Sequence, residues 1–356
     1  MGPTVAGLFA GVGGIELGLR RAGWESALLC EIDPAAQAVL RRHFPDAPLV
    51  GDVRGVEALP ECDLVAGGFP CQDLSMAGNK RGIGGERSGL VGELFRLLRR
   101  RPAPWLLLEN VPYMLHLRQG EAMRLLVRAL EGIGYRWAYR VVDARGFGVP
   151  QRRKRLLLLA SLAGDPCGPL LGQDEGAPPP PDDLSPIDPS RAYGFYWTEG
   201  LRGIGWAVDA IPTLKNGSTV GIASPPAVWQ PSLGTFGTPD IRDAERLQGF
   251  PEDWTLDAAT GHRKGARWGL VGNAVCVPVA EWIGGRLRHP SSFDAPYRRL
   301  REAERWPDAA WGAEGKAFVV EASAYPAREA PPALAAFLLT LERLQQPLHV
   351  GIGRLP

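Results

Sequence analysis

The sequence predicts an α/β fold, in which a mostly parallel sheet is followed by a smaller and irregular region. Over residues 4–161, short apolar runs alternate with segments of helical periodicity, a pattern typical of a parallel sheet covered by helices on both faces. After residue 162 the alternation gives way to a stretch rich in proline, glycine and aspartate. A chain of 356 residues can bury a large core and form two domains.

Each predicted strand is a short apolar run bounded by turn residues, and the strands cover residues 4–9, 26–32, 49–50, 62–69, 105–111, 135–143 and 155–161. The predicted helices cover residues 15–23, a segment that begins at Pro34, and residues 89–100, 121–132, 277–287 and 331–347. Proline at the start of a helix and glycine at its end support these boundaries, as do the prolines that flank the last helix.

Composition excludes several classes of protein. A net charge of +1, with 45% hydrophobic and 22% charged residues, is typical of a soluble globular protein. No apolar run approaches the roughly 20 residues of a membrane span, and the N-terminus lacks the pattern of a signal peptide. The five cysteines are scattered and form no C-x-x-C pair, so a reducing cytoplasm is expected and neither a zinc site nor a disulfide framework is indicated.

A glycine-rich turn follows the first predicted strand. Gly11 and Gly13 would let a ligand approach the backbone, but Glu16 takes the third glycine position of a dinucleotide fingerprint and would repel a pyrophosphate. Glu31 and Asp52 each follow a predicted strand, where acids can bind ribose hydroxyls or an adenine amino group. An adenosine ligand without phosphates, such as S-adenosylmethionine, fits these residues. The alternative is a structural turn with acids that face solvent.

Cys71 and Glu109 also follow predicted strands, so both would emerge at the carboxyl edge of a parallel sheet. A thiolate there could add to C6 of a pyrimidine, while a carboxylic acid supports charge at N3. C5 then becomes nucleophilic enough to take a methyl group from a sulfonium. Taken singly, the thiol could equally be buried and inert, and the carboxylate could simply be solvated.

The segment GVPQRRKRLLLLA, residues 148–160, leads a cluster of basic residues into a strand. Because side chains alternate along a strand, Arg153 and Arg155 are expected on one side, and Arg152 and Lys154 on the other. The cluster could contact phosphate or orient a carboxylate, or it could be a solvated run of charge.

Six segments, read in order, resemble the DNA cytosine-5 methyltransferase family, of the bacterial restriction–modification type. They are GLFAGVGGIELGLRRAG, GGFPCQDLSMAGNKRG, LLLENVPYM, GVPQRRKRLLLLA, DAERLQGFPEDW and VGNAVCVPVAEWIG. The resemblance spans residues 1–165 and 241–288. It implies a Rossmann-like S-adenosylmethionine-dependent fold with a smaller, irregular target-recognition region, and a last helix that packs beside the first motif.

The resemblance also implies roles for individual residues. Cys71 would be the nucleophile, Glu109 the acid that engages N3, and Arg153 and Arg155 would orient Glu109 or the target base. The cofactor pocket would be formed by Phe9, Ala10, Gly11, Gly13, Gly14, Glu31, Asp52, Pro70, Leu90 and Asn273. S-adenosylhomocysteine would be the product, and no metal is expected.

Double-stranded DNA would be the partner, with the target cytosine flipped out of the duplex. Residues 72–90 would form a loop that closes on DNA, with Gln72 and Ser75 near the flipped nucleotide. Lys80, Arg81 and Arg87 would contact phosphates. Base reading is expected within residues 191–240, where the segment TLKNGST contributes Thr213 and Lys215.

The resemblance divides the chain into a catalytic and cofactor-binding core (1–165), a target-recognition region (166–240), a return to the core (241–290) and a C-terminal extension (291–356). We further expect a cytoplasmic, nucleoid-associated monomer without membrane contact, and a restriction endonuclease as a functional partner. The last of these expectations rests on analogy alone.

One residue departs from the family's pattern, which usually has aspartate two positions before the phenylalanine of the first motif. Gly7 stands there, so either cofactor affinity is reduced or another group substitutes. Two alternative functions remain at this level. A tRNA cytosine methyltransferase would share the core but usually carries a Cys-Phe-Thr tripeptide, which this chain lacks. A catalytically inactive DNA-binding protein would not need intact Cys71 and Glu109.

Overall fold

The computed structural model describes residues 2–69, 89–179, 182, 186–198, 205–217, 226–263, 265–302 and 304–343. The strands are β1 Thr4–Leu8, β2 Glu25–Cys30, β3 Leu49–Val50, β4 Leu64–Gly68, β5 Trp105–Asn110, β6 Arg136–Asp143, β7 Gln151–Arg152, β8 Lys154–Ser161, β9 Tyr193–Tyr196, β10 Ala207–Val208, β11 Ile211–Pro212, β12 Pro226–Gln230, β13 Thr235–Pro239, β14 Tyr297–Arg299, β15 Ala309–Ala313, β16 Lys316–Val320 and β17 Leu341–Arg343. The helices are α1 Gly14–Arg21, α2 Pro34–His43, α3 Gly89–Arg100, α4 Glu121–Glu131, α5 Cys167–Leu171, α6 Ile241–Leu247, α7 Ala266–Asn273, α8 Val277–Arg288 and α9 Leu334–Phe337.

A ten-stranded sheet in the order β14-β16-β15-β6-β8-β5-β4-β1-β2-β3 forms the centre of the molecule. Five neighbouring strands of this sheet, β5, β4, β1, β2 and β3, are parallel to one another. Apolar side chains of α3 and α4 pack on one face of the sheet, and those of α1 and α8 pack on the other. The predicted α/β fold class, with helices on both faces, is therefore confirmed.

Strand β8 departs from the predicted alternation because it is antiparallel to both of its neighbours, β5 and β6. Residues 144–153 join β6 to β8 without a crossover α-helix, and a short connection of this kind can only join antiparallel strands. As a result, β8 begins at the edge where β5 ends. Asn110, the last residue of β5, pairs in register with Leu156 of β8.

The C-terminal segment adds to two sheets. Strand β15 pairs with β6, and β14 and β16 extend the central sheet beyond it. The predicted helix over 331–347 is wrong for the described residues, since only Leu334–Phe337 is helical and Leu341–Arg343 is a strand paired with β13. The buried carboxylate of Asp243 accepts hydrogen bonds from the backbone N–H groups of Leu339 and Thr340, which directs the chain into the strand.

Strands from residues 193–239 form a second sheet together with β17, in the order β10-β9-β12-β13-β17, and its described pairs are antiparallel. Aromatic side chains cluster on it, including Trp229 stacked on Phe236. A short parallel pair between β11 and β7 connects this region to the core.

Residues 241–288 return to the core, where α8 packs against α1. A Cβ atom on Gly18 would lie 2.6 Å from the Cβ of Ala280, so the two helices approach more closely than a side chain at position 18 would allow. The expected packing of the last helix beside the first motif is observed. None of the helices in the described ranges has the length and apolar character that crossing a membrane requires.

Candidate active site and cofactor cavity

A cavity of about 760 Å³ opens at the carboxyl edge of the parallel strands. Its walls include nearly all the described residues that the sequence assigned to catalysis or to the cofactor: Phe9, Ala10, Gly11, Gly14, Glu31, Asp52, Leu90, Glu109, Arg153, Arg155 and Asn273. Carboxyl edges of parallel sheets are the usual place for ligands in α/β folds. Further residues that were not assigned to the site from the sequence also line the cavity, among them Ile32, Asn110, Asn216 and Val275.

The glycine turn after β1, together with Glu31, forms one end of the cavity, and this end is called the cofactor end below because the cofactor is expected there. Phe9, Gly11 and Gly13 all have positive φ, which only glycine adopts without strain. The backbone N–H of Gly11 donates to Oε2 of Glu31 at 2.7 Å, and that of Asp33 donates to Oε1 at 2.8 Å. Glu31 therefore joins the turn after β1 to the start of α2.

Gly13 lies outside the cavity lining. It caps α1 in the left-handed conformation, and a Cβ there would lie 2.6 Å from the ring of Phe44. The structure therefore gives Gly13 a role in the conformation of the turn, and its contact with the cofactor stays a prediction. Asp52, by contrast, lines the cavity and is partly exposed, and its pairing with Arg54 at 2.7 Å lowers the pKa of its carboxyl.

Glu109 and Arg155 lie at the other end of the cavity, which is called the catalytic end below because catalysis is expected there. Glu109 is the fifth residue of β5, and its Oε1 lies 2.8 Å from Nε of Arg155. Gly68 of β4 pairs with Glu109 in register, and a Cβ on Gly68 would lie 3.1 Å from Oε2, so glycine leaves room for the carboxylate. The antiparallel course of β8 brings Arg155 to this edge, because the strand begins where β5 ends.

Arg153 lies close to Arg155 in sequence but serves a different purpose. Its side chain is 1% exposed and donates hydrogen bonds to the carbonyl oxygens of Leu214, Gly272 and Ala274, at 3.0, 3.1 and 2.7 Å. Burial, together with the charge of Arg155, lowers the pKa of Arg153 to about 9. Arg153 thus links the start of β8 to the segment after β11 and to the end of α7, and the ion pair with Glu109 is made by Arg155.

The four basic side chains at residues 152–155 alternate between the two sides of the strand, as predicted. Arg153 and Arg155 line the cavity, whereas Arg152 pairs with Asp182 at 3.1 Å and Lys154 is exposed. Thr213 and Lys215, assigned to DNA, lie beside Asn216 of the cavity wall. The hydroxyl of Thr213 donates to the Arg152 carbonyl at 2.7 Å, and Nζ of Lys215 lies 3.9 Å from the centre of the Tyr196 ring.

Two amides that sequence reasoning left without a role are buried at the site. Asn110 donates to the carbonyl of Phe69 at 2.9 Å, and so holds the last described residue before the predicted catalytic loop. Gln151 donates to the Leu247 carbonyl at 2.8 Å and accepts from the N–H of Leu214 at 3.0 Å. Asn110 lies in the segment LLLENVPYM and Gln151 in GVPQRRKRLLLLA, both of which resemble family motifs. Their place in these segments was the only feature of the sequence that could have indicated a role at the site.

Seven of the predicted site residues lie outside the described residues: Pro70, Cys71, Gln72, Ser75, Lys80, Arg81 and Arg87. Within the ranges that are described, no group of three or more histidine, cysteine, aspartate or glutamate side chains is arranged to hold a metal ion.

Comparison with known proteins gives concordant results. The family model for C-5 cytosine-specific DNA methylases matches residues 4–174. The chain is 52% identical to the Type II methyltransferase M2.BsuMI of Bacillus subtilis (strain 168) over 341 residues, which cover 94% of this chain and 88% of that protein. It is 30% identical to the Type II methyltransferase M.MspI of Moraxella sp over 302 residues, covering 79% of this chain and 69% of the relative.

Solved structures support the fold. The Dnmt2 methyltransferase of S. pombe matches with a TM-score of 0.55 and 17% identity, covering 80% of this chain and 98% of that one. At this identity the similarity concerns the fold alone. The family match and the high identity to a Type II methyltransferase over most of the chain show more: the protein belongs to the C-5 cytosine-specific DNA methylases and is an S-adenosylmethionine-dependent DNA cytosine-5 methyltransferase.

Proposed function

We propose that this enzyme methylates C5 of a flipped-out cytosine within a specific duplex DNA sequence, with Cys71 as nucleophile and Glu109 as the group that engages N3. The observation that carries this proposal is the placement of Glu109 and Arg155 in one cavity with the glycine turn. Gly68, three positions before Cys71, is the strand neighbour of Glu109. Cys71 therefore follows in sequence shortly after the strand that pairs with Glu109.

The chemistry forms the bonds from sulfur to C6 and from C5 to the methyl group, and it breaks the methyl–sulfonium bond, the C5–H bond and finally the sulfur–C6 bond. The Cys71 thiolate adds to C6 of the cytosine while Glu109 supports charge at N3, and the electron pair moves to C5. Bound S-adenosylmethionine supplies an electrophilic methyl group, which C5 accepts as the sulfonium becomes the thioether S-adenosylhomocysteine. A base then removes the C5 proton, and the pair left behind expels the Cys71 thiolate from C6. No metal enters this scheme.

Cavity residues fit an adenosine ligand that lacks phosphates. The acids at this end of the cavity would repel a pyrophosphate, and each oxygen of Glu31 retains a second lone pair for a ribose hydroxyl after accepting a backbone N–H. Asp52 would accept from the adenine amino group, and Phe9 would stack on the ring. The remaining contacts would come from Ala10, Gly11, Gly14, Pro70, Leu90 and Asn273, with Gly13 shaping the turn.

DNA would approach from the side of residues 72–90 and of the target-recognition region. Lys80, Arg81 and Arg87 would contact phosphates, Gln72 and Ser75 would lie near the flipped nucleotide, and residues 191–240 would read the flanking bases. The domain boundaries at 165, 240 and 290 belong to this proposal. So do a monomeric state, a cytoplasmic location on the nucleoid, and a restriction endonuclease that recognises the same sequence.

Transfer of tritium from methyl-labelled S-adenosylmethionine tests the proposal. Mixed-sequence duplex DNA should become labelled at C5 of cytosine, tRNA should not, and Cys71→Ser should abolish the labelling. A Cys62→Ser variant is the matched control, because that thiol lies outside the cavity. Label in tRNA alone, or undiminished transfer by Cys71→Ser, would contradict the proposal. Bisulfite sequencing of DNA from expressing cells would then identify the target sequence.

A further inference from the structure

Glu16, in the first turn of α1, is a buried carboxyl group that the mechanism above does not use. It is 1% exposed, and neither carboxyl oxygen has a hydrogen-bond partner among the described residues. Its chain neighbours Gly14 and Ile15 line the cofactor end of the cavity. A buried carboxylate without a partner is costly, so its presence at this place requires a physical reason.

Gly7 provides the space for this carboxyl group. A Cβ atom on Gly7 would lie 2.1 Å from Oε1 of Glu16, so no side chain at position 7 could coexist with Glu16 as it is placed. The strand neighbours of Gly7 are Leu29 and Ala66, both fully buried and apolar. The Glu16 carboxyl therefore lies in an apolar layer beneath the glycine turn, in the place that the missing side chain would occupy.

The charged groups around Glu16 do not neutralise it. Glu31 faces it from the end of β2 and repels it, and β1 and β4 present no charge at Gly7 and Ala66. The face of α8 packed on α1 contributes Val277 and Ala280. The nearby arginines are engaged elsewhere: Arg20 with Phe44 and the His43 carbonyl, Arg21 with Glu281, Arg153 with three carbonyls, and Arg155 with Glu109.

Burial, opposed in part by the residue's own backbone N–H and reinforced by the charge of Glu31, raises the pKa of Glu16 to about 8. The backbone N–H lies near enough to favour the ionised form but not in hydrogen-bonding geometry. Near pH 7, Glu16 of the cofactor-free protein is accordingly protonated for the most part.

We propose that Glu16 senses the positive charge of the methyl donor, and that it loses its proton to solvent when S-adenosylmethionine binds on the glycine turn. The inference rests on the proposed placement of the cofactor. A cation brought to a desolvated carboxyl favours its ionised form. S-adenosylmethionine carries a sulfonium and an ammonium charge, whereas S-adenosylhomocysteine carries the ammonium charge alone, so Glu16 favours the methyl donor over the spent product.

The sign of the pH dependence follows. Below the free-state pKa of about 8, binding of S-adenosylmethionine expels a proton, so affinity rises as the pH rises and levels off above that value. We expect affinity for S-adenosylmethionine to increase about tenfold between about pH 6.5 and pH 8.5, and affinity for S-adenosylhomocysteine to increase by less. The sulfonium also lowers the pKa of the ligand's own α-ammonium group, so the contribution of Glu16 is isolated by comparing the wild type with Glu16→Gln for each ligand.

Isothermal titration calorimetry in two buffers of different ionisation enthalpy counts the protons released. After correction for the titration of the free ligand, the wild-type protein should release more protons with S-adenosylmethionine than with S-adenosylhomocysteine at about pH 7.5. Glu16→Gln, which keeps the shape of the side chain, should still bind both ligands but should release fewer protons than the wild type with S-adenosylmethionine, and this decrease should be smaller with S-adenosylhomocysteine. Glu25→Gln removes an exposed carboxylate at the start of β2 and should behave as wild type.

An unchanged proton count with S-adenosylmethionine in Glu16→Gln would overturn the inference, as would equal changes in the proton counts of the two ligands. If the variant does not fold, the wild-type counts decide the matter once the titration of each free ligand has been subtracted, and equal corrected counts would overturn the inference. Failure of S-adenosylmethionine to bind at all would instead count against the cofactor placement itself, so the two failures are distinguishable.

Discussion

The two ends of the cavity hold their carboxyl groups in different ways. At the catalytic end, Glu109 is paired with Arg155 at 2.8 Å. At the cofactor end, Glu31 accepts only backbone N–H groups, and Glu16 has no partner among the described residues. Arg153 and Arg155 are the only described cations that line the cavity, and both belong to the strand that begins at the catalytic end.

The two ends of the cavity therefore differ in the groups that balance the charge of their carboxylates. The Glu109 carboxylate has its counter-charge built into the fold, so its orientation is set before any ligand arrives. The other end has an excess of acidic groups, and a cationic ligand, as proposed above, would supply the missing charge on binding. Substitutions at the two ends should therefore have separable effects.

Glu109→Gln should have the largest effect. The amide keeps the shape of the side chain but removes the ion pair with Arg155 and the acid at N3, so methyl transfer in a single turnover should slow by about 10²- to 10⁴-fold. Binding of S-adenosylmethionine, measured by calorimetry, should change by less than about threefold. A loss of affinity as large as the loss of rate would mean that the two ends of the cavity are not separate.

Arg153→Met should destabilise the protein, because three carbonyl groups lose their donor in a buried place. The free energy of unfolding in urea should fall by about 3 kcal/mol. Arg152→Met is the matched control, since that side chain is partly exposed and paired with Asp182, and about 1 kcal/mol or less is expected. Equal losses in the two variants would contradict the clamp assigned to Arg153.

Gly7→Ala should lower the free energy of unfolding by about 1–3 kcal/mol, because the new Cβ would collide with the Glu16 carboxyl. The cost should largely disappear when Gly7→Ala is introduced into Glu16→Ala, which gives a measurable coupling between the two positions. Gly55→Ala is the control, since nothing lies within 4 Å of a Cβ there. Additive effects at positions 7 and 16 would show that the two residues do not share one space.

Lys215→Met should have the smallest effect. Loss of its contact with the Tyr196 ring should cost about 0.5–1 kcal/mol of stability. If Lys215 also contacts a phosphate, the slope of log affinity for DNA against log salt should decrease in magnitude by about one. An unchanged slope would assign Lys215 a structural role only, while the catalytic end would remain as described.

Much of the core was predictable from the sequence because it depends on local patterns. The strands that end at Cys30, Gly68 and Asn110 are apolar runs with clear ends, and their parallel order brings Glu31 and Glu109 to one edge. Residues 89–100 match α3 because its apolar periodicity is strong. The roles of individual residues came from the family resemblance rather than from these patterns.

The features that were not predictable depend on contacts far apart in the chain. The antiparallel course of β8 follows from the absence of a crossover helix after β6, which the apolar pattern of β8 does not reveal. The amphipathic pattern over 331–347 was overridden by hydrogen bonds to Asp243, almost 100 positions away. Glu16 was read as a group that repels phosphate, and only the structure places its carboxyl against Gly7.

The central claim is that the methyl donor, Glu109 and Cys71 act together on one cytosine. Duplex DNA that contains 5-fluorocytosine tests this directly, because fluorine at C5 cannot leave as a proton does and the enzyme stays attached. Mass spectrometry should show a complex of one protein and one DNA strand that carries one additional methyl group, formed by the wild-type protein and absent with Cys71→Ser. A wild-type protein that binds S-adenosylmethionine and target DNA but forms no such adduct would contradict the claim.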